Sequence, residues 1–151
     1  NATPFAEANT HNDPHALNIV IGSGATVVMV GLDVTMQVLC DAAFFNRLGQ
    51  ASPDLGGFLQ QASRFYLDFY RSRTGQDGCA LHDPSAVIAC THPELFVMQS
   101  LPMVVTETGE EAGRTVVGAD VAGPRVSVCT GGDMGAVKAL FESAFARQRH
   151  G

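Results

Sequence analysis

The sequence predicts an α/β fold, and three observations predict it. A β-branched run from Thr26 to Val30 follows a helix-like segment and a glycine turn, which is half of an α/β unit. The segment SPDLGGFLQQASRFYLDFYRSRTG carries Leu55, Phe58, Leu59, Ala62, Phe65, Tyr66, Phe69 and Tyr70 at three- and four-residue steps, the period of an amphipathic helix. Downstream, short apolar runs separated by Gly- and Pro-containing turns read as further strands. At 151 residues, residues 1–151 are expected to form a single domain around one core.

The elements follow in order. Asp13-Pro14 opens the first helix, in which Ala16, Ile19 and Val20 fall at helical spacing and Gly22 or Gly24 supplies the stop. The strand from Thr26 to Val30 is unbroken by polar residues after Thr26, so it is expected to be buried on both faces of a parallel sheet. Ser52 reads as the N-cap of the long helix, with Pro53 at its first position. Gly75 and Gly78 then release the chain into CALHDPSAVIAC, where a second helix is expected from Pro84 to Thr91, ending before His92-Pro93. Strands are expected at Met103 to Glu107, Arg114 to Gly118 and Arg125 to Thr130, forming a hairpin-like extension beside a parallel core. The last helix runs from Asp133 to about Gln148 and places Met134, Val137, Phe141, Ala144 and Phe145 on one face.

Composition narrows the function. The chain is 46% hydrophobic and 16% charged, an ordinary globular balance. Its net charge is −6 and Lys138 is its single lysine, so it has no basic stripe to neutralise phosphates and no nucleic acid is expected as a partner. The longest apolar stretch, TVVMVG, is far shorter than a bilayer span, and no charged-then-apolar leader opens the sequence; a soluble protein without a membrane partner is expected. Cys40, Cys79, Cys90 and Cys129 show no C-x-x-C pairing and read as reduced thiols of a cytoplasmic protein. The chain starts at Asn1 within a motif-like stretch, so a fragment or processed chain is expected.

Two stretches carry candidate chemistry. In His82-Asp83-Pro84 the aspartate before proline is a common helix start, because its carboxylate accepts an orphan backbone N–H; the same pair also reads as two catalytic groups aimed into a pocket. In NATPFAEAN, the amides and carboxylate of Asn1, Glu7 and Asn9 read either as a polar loop or as a recognition loop for vicinal hydroxyls, which need donors and acceptors together. Asp33 follows the buried strand, where α/β sites collect, but reads first as a turn-capping carboxylate. His11, His15, His92 and His150 read as surface or capping residues.

Taken in order, NATPFAEAN followed by DP, then GLDVT, then LHDP after a glycine-rich turn, resemble the C-terminal half of the inosine-uridine preferring nucleoside hydrolase family. The resemblance implies a three-layer Rossmann-like fold with a mixed, mostly parallel sheet flanked by helices, of which this chain is the C-terminal portion. It implies hydrolysis of the N-glycosidic bond of a ribonucleoside to ribose and free base. By the same resemblance Asn1 and Glu7 hold the 5′-hydroxyl side of the ribose and Asn9 bonds the 2′/3′-diol. Asp83 is similar to a calcium ligand that also touches the 3′-hydroxyl, and His82 to the proposed proton donor to the leaving base. Tyr66 and Tyr70 resemble tyrosines that close over the base, although two aromatics one turn apart amid Phe65 and Phe69 also read as helix packing.

These roles agree with elementary chemistry. A breaking N-glycosidic bond passes through an oxocarbenium-like sugar and needs a protonated or otherwise stabilised leaving group. A histidine, whose ordinary pKa is near 6.5, holds such a proton near neutrality. Ca²⁺ takes six to eight oxygen ligands and so can hold carboxylates, a diol and a water together. The family's aspartate cluster, D-T-D-x-G-x-D-D-A, does not occur here, and neither does any Asp pair or D-x-D. The chain alone is therefore expected to lack a complete calcium shell and a general base, and to need the N-terminal half of the same polypeptide as its partner. Relatives form dimers or tetramers, so a homo-oligomer is also expected. A catalytically inactive ribose- or nucleoside-binding protein, and a structural piece of a larger enzyme, are the competing expectations.

Overall fold

The computed structural model describes residues 2–119 and 123–146. In chain order its elements are helices α1 (Ala8–Asn12) and α2 (Pro14–Gly22), strand β1 (Val28–Val30), helix α3 (Leu32–Thr35), strand β2 (Leu39–Cys40), helices α4 (Ala42–Ala51) and α5 (Leu55–Thr74), strand β3 (Cys79–Ala80) and helix α6 (His82–Thr91). A 3₁₀ turn (Pro93–Leu95) leads into strands β4 (Phe96–Leu101), β5 (Met103–Val105), β6 (Thr115–Val117) and β7 (Val126–Gly132), and helix α7 (Met134–Ala146) follows. This is the α/β class the sequence predicts. The chain divides into two compact units, Asn1–Leu32 with Phe96–Gly132 and Asp33–Leu95 with Asp133–Gly151. Among the described residues, no helix is long and apolar enough to cross a membrane.

In the first unit a three-stranded sheet runs in the order β1-β7-β4. β1 lies parallel to β7, with Val28 facing Ser127, and β4 runs antiparallel to β7, with Leu101 facing Val126. β5 and β6 form the expected hairpin-like pair, Met103 facing Val117. Ile21, Met103, Val105 and Val126 form the core, with Leu17, Val27, Met29, Leu101 and Val128 packed against it. The turn before β6 lies close to the α1 segment: Gly113 has φ +88°, and a Cβ there would lie 2.7 Å from the His11 Cα, so only glycine fits.

Two expectations for this unit change. Asp13 caps α2 as expected, its carboxylate accepting from the Ala16 N–H at 2.8 Å, but the inward stripe is Leu17 and Ile21, while Ile19 and Val20 are exposed. Leu17 and Ile21 lie one turn apart and leave Ile19 on the other side of the helix. β1 is shorter than the run from Thr26 to Val30 and only half-buried, because among the described residues it stands at the end of the sheet with β7 as its one neighbouring strand.

In the second unit β2 and β3 pair antiparallel, Leu39 facing Ala80 and Cys40 facing Cys79. Val34, Val38, Cys40, Phe44, Leu48 and Val137 are fully buried. The Phe44 ring stacks on Phe141, their centroids 6.3 Å apart. Lys138 donates to the Leu39 carbonyl at 2.6 Å with its ammonium 5.0 Å from the Phe44 ring centre, which satisfies the charge of a partly buried lysine. α7 starts where expected, capped by Asp133, whose carboxylate accepts from the Ala136 N–H at 2.9 Å. Its expected end near Gln148 lies outside the described residues.

α4 is not among the elements expected from the sequence, although Asp41 caps it by accepting from the Phe44 N–H at 2.8 Å. Its presence moves the start of α5. Ser52 closes α4 by donating its backbone N–H to the Leu48 carbonyl at 2.9 Å and does not cap α5, which begins at Leu55. The two helices meet at glycine: a Cβ on Gly56 would lie 1.9 Å from the Leu48 carbonyl oxygen. The buried stripe of α5 is thus Gly56, Ser63 and Tyr70; of the expected apolar stripe Tyr70 turns inward, while Phe58 and Phe65 are 67% and 80% exposed.

Candidate active site

The pairing of β2 with β3 decides what stands beside His82. Because Leu39 faces Ala80 and the Leu81 N–H donates to the Val38 carbonyl at 3.1 Å, the residues just before β2 run alongside those just after β3. Thr35, the last residue of α3, thereby meets His82, the first residue of α6, with its Oγ1 2.7 Å from Nδ1. Tyr70 arrives from α5. Gly75 stops that helix in the left-handed conformation, φ +71°, and the chain doubles back into β3. The Tyr70 hydroxyl then lies 2.5 Å from His82 Nε2. A half-buried imidazole is held at both nitrogens by hydroxyl groups.

Hydroxyls donate and accept, so both partners can follow the ring through a change of protonation. Burial, and then a hydrogen bond with Tyr66, push the Tyr70 phenol up to about 12, so it keeps its proton at neutral pH. The two tyrosines differ in setting. Tyr70 is buried, whereas Tyr66 is 42% exposed, edge-on to Tyr70 at 5.1 Å and stacked with Phe69 at 6.3 Å.

Asp83 stands exposed in the first turn of α6, where helical N–H groups favour a carboxylate. The cap differs from the expected one. The helix begins at His82 rather than Pro84, and Leu81 at the cap position makes no side-chain hydrogen bond. The Ser85 hydroxyl, buried in the first turn, donates back to the Leu81 carbonyl. Asp83 is therefore not consumed as a cap. Among the described residues no group of three or more His, Cys, Asp or Glu side chains assembles as a metal site. One exposed carboxylate cannot by itself complete the shell of an ion that takes six to eight oxygens, so Asp83 could supply only part of such a site.

Glu7 and Asn9 lie in the first unit. Glu7 is half-buried just before α1, and its Oε1 accepts from the Leu32 N–H at 2.7 Å, satisfying the first backbone donor of α3. Asn9 is exposed on α1. Asn1 lies outside the described residues. Within GLDVT the side chain that reaches the histidine is Thr35. Asp33 is exposed, and its carbonyl accepts from the Gln37 side chain at 2.9 Å. Spacing alone gives no hint of Thr35; the order of the GLDVT and LHDP motifs was the available signal. His11 and His15 are exposed, His15 lying 3.1 Å from Glu107, and His150 lies outside the described residues.

Comparison with known proteins bears on the same residues. The family model described as inosine-uridine preferring nucleoside hydrolase matches residues 1–139. A probable uridine nucleosidase 2 of Oryza sativa subsp. japonica is 38% identical over 115 residues, 76% of this chain and 34% of that protein. The non-specific ribonucleoside hydrolase RihC of Salmonella enteritidis is 40% identical over 118 residues, 78% of this chain and 37% of that protein. A purine-preferring ribonucleoside hydrolase from Gardnerella vaginalis superposes with a TM-score of 0.90 at 30% identity, covering 97% of this chain and 48% of that one. The chain spans about a third to a half of the length of these relatives. The motif order, the fold and the match over residues 1–139 agree: the chain belongs to the inosine-uridine preferring nucleoside hydrolase family.

Proposed function

We propose that this protein hydrolyses the N-glycosidic bond of ribonucleosides, giving ribose and free base. The observation that carries the reading is the imidazole of His82, held at both nitrogens by hydroxyls and followed directly by Asp83. The names of the relatives from rice and Salmonella support ribonucleosides as the substrate class.

In this reading His82 supplies the proton that the departing base needs as the sugar becomes oxocarbenium-like. With Tyr70 on Nε2, the proton leaves through the phenol: Nε2–H passes to the Tyr70 oxygen as the Tyr70 O–H passes to the base nitrogen. The phenol is regenerated, and the imidazole ends neutral. Tyr66 and Tyr70 face the base. Asn1, Glu7 and Asn9 take the ribose hydroxyls, with amides and a carboxylate supplying both donors and acceptors.

The family is generally metal-dependent, and we propose calcium as the ion, with Asp83 giving one ligand and touching the 3′-hydroxyl. The other ligands and the general base would come from the N-terminal half of the polypeptide, so residues 1–151 alone are expected to be inactive. A cytoplasmic homo-oligomer completes the proposal.

The test is ribose release by the full-length protein from inosine and uridine. Release that is abolished by EDTA and by Asp83→Ala, and lowered at least about 100-fold on inosine by His82→Ala, supports the reading. Absence of release from both nucleosides by the wild type refutes it.

A further inference from the structure

The reading above uses the contact between Thr35 and His82 only as one of two hydroxyls on the ring and gives Thr35 no task of its own. We infer that Thr35 is a positioning residue: its Oγ1 accepts from Nδ1–H of His82, which fixes the tautomer of the ring and turns Nε2 toward the Tyr70 hydroxyl. The inference rests on the proposed hydrolase reading for its catalytic consequence, but not for the hydrogen bond itself.

Three observations carry it. Thr35 is 4% exposed and lies 2.7 Å from Nδ1, so its hydroxyl meets the ring inside the protein and not across solvent. Its place is fixed from two directions. Its carbonyl accepts from the Val38 N–H at 3.0 Å, and the next residues enter β2, whose pairing with β3 sets the position of His82. Finally, the Tyr70 hydroxyl occupies the opposite edge of the ring. Two hydrogen bonds on opposite edges of a planar ring fix its plane, and the nitrogen facing Tyr70 is the one on the outgoing side.

The chemistry explains why a hydroxyl suits this position. In a neutral imidazole one nitrogen carries the proton and the other accepts, and the partner of one nitrogen selects the state of the other. With Nδ1–H donated to Thr35, the neutral ring presents the Nε2 lone pair to the Tyr70 hydroxyl. When both nitrogens are protonated, Thr35 still accepts and no bond is broken. The threonine orients the ring without adding charge.

The test compares Thr35→Val, which keeps the shape and removes the hydroxyl, with Thr35→Ser, which keeps the hydroxyl. In uniformly ¹⁵N-labelled full-length protein, the imidazole nitrogen resonances of His82 report the tautomer. The wild type and T35S should show Nδ1–H in the neutral ring, and T35V should shift toward Nε2–H. In the same proteins T35V should lower kcat on inosine by about tenfold while KM moves less than about twofold, as expected for one lost orienting hydrogen bond. An activated riboside with a nitrophenolate leaving group, which needs no proton, should be hydrolysed within about twofold of wild type, and T35S should restore turnover of inosine. An unchanged tautomer in T35V overturns the inference, as does an equal loss on both substrates. A tautomer shift in a protein that hydrolyses no nucleoside overturns the hydrolase reading and still supports the hold of Thr35 on the ring.

Discussion

The Tyr70 hydroxyl and His82 Nε2 lie 2.5 Å apart, although one residue lies near the end of a long helix and the other opens the next. The pair forms because Gly75 reverses the chain between them, and burial keeps the phenol protonated, its pKa pushed up to about 12 from an ordinary 10.0. A raised phenol pKa contributes stability that is fully present below pH 10.0 and lost as pH rises toward about 12. Tyr70→Phe is therefore expected to remove the late-titrating phenol from the tyrosinate absorbance curve and to flatten the alkaline fall in stability. It should cost about 1 kcal/mol at neutral pH, the worth of one hydrogen bond. A late phenol of unchanged amplitude in the variant would contradict the assignment.

The contact of α4 with α5 predicts opposite outcomes for adjacent glycines. A methyl on Gly56 would fall 1.9 Å from a backbone oxygen of Leu48, which no rotamer change can relieve, whereas nothing lies within 4 Å of the corresponding position on Gly57. Gly56→Ala should therefore destabilise by about 3 kcal/mol or more, through forced separation of the helices. Gly57→Ala should be neutral or stabilise by up to about 1 kcal/mol, because glycine is a poor interior helix residue. Thermal melts of the two variants decide it; similar shifts would mean the helices do not approach through Gly56.

This glycine also marks how far the sequence could be read. The period of α5 was legible, but its orientation was not. The stripe of Leu55, Phe58, Leu59, Ala62, Phe65, Tyr66, Phe69 and Tyr70 reads as one apolar face, yet of these Tyr70 is the buried one, and close backbone approach turns Gly56 and Ser63 inward beside it. Caps were legible where a single carboxylate serves a single N–H, as at Asp13 and Asp133, and misleading where two helices adjoin, as at Ser52. In the site, His82 and Asp83 could be singled out because their types carry chemistry. Thr35 could not, because its importance lies in a strand pairing that spacing does not reveal.

Glu107 predicts a response to acid. Hydrogen bonds from Asn18 first, and then from His15, hold its carboxyl below the ordinary 4.5. A depressed carboxyl pKa contributes stability that is present above 4.5 and lost as pH falls through the lower folded value. Urea midpoints of the wild type should therefore fall below pH 4.5 more steeply than those of Glu107→Gln, which keeps an acceptor for Asn18 but has no charge to lose. Parallel acid profiles for the two proteins would show that Glu107 is not coupled to folding.

Asn18 supplies the last prediction. Its amide nitrogen donates to the Val105 carbonyl and to Glu107 Oε1, each at 2.8 Å, while its oxygen accepts from the Val105 N–H at 2.8 Å. The side chain thus pairs with β5 as a neighbouring strand would, and it needs a donor and an acceptor at once. Asn18→Asp keeps the acceptor but sets a carboxylate against a carbonyl oxygen and the Glu107 carboxylate. The expected loss at pH 7 is about 2 kcal/mol, mainly from a partly buried carbonyl left facing an acceptor. The like charges raise the new carboxyl's pKa in the folded state, so the folded protein takes up protons first and the deficit should narrow as pH falls. Once protonated, the carboxyl can again donate to Val105. A deficit that stays constant down to pH 4 would show that Asn18 contributes through shape and not through its two hydrogen bonds to the strand.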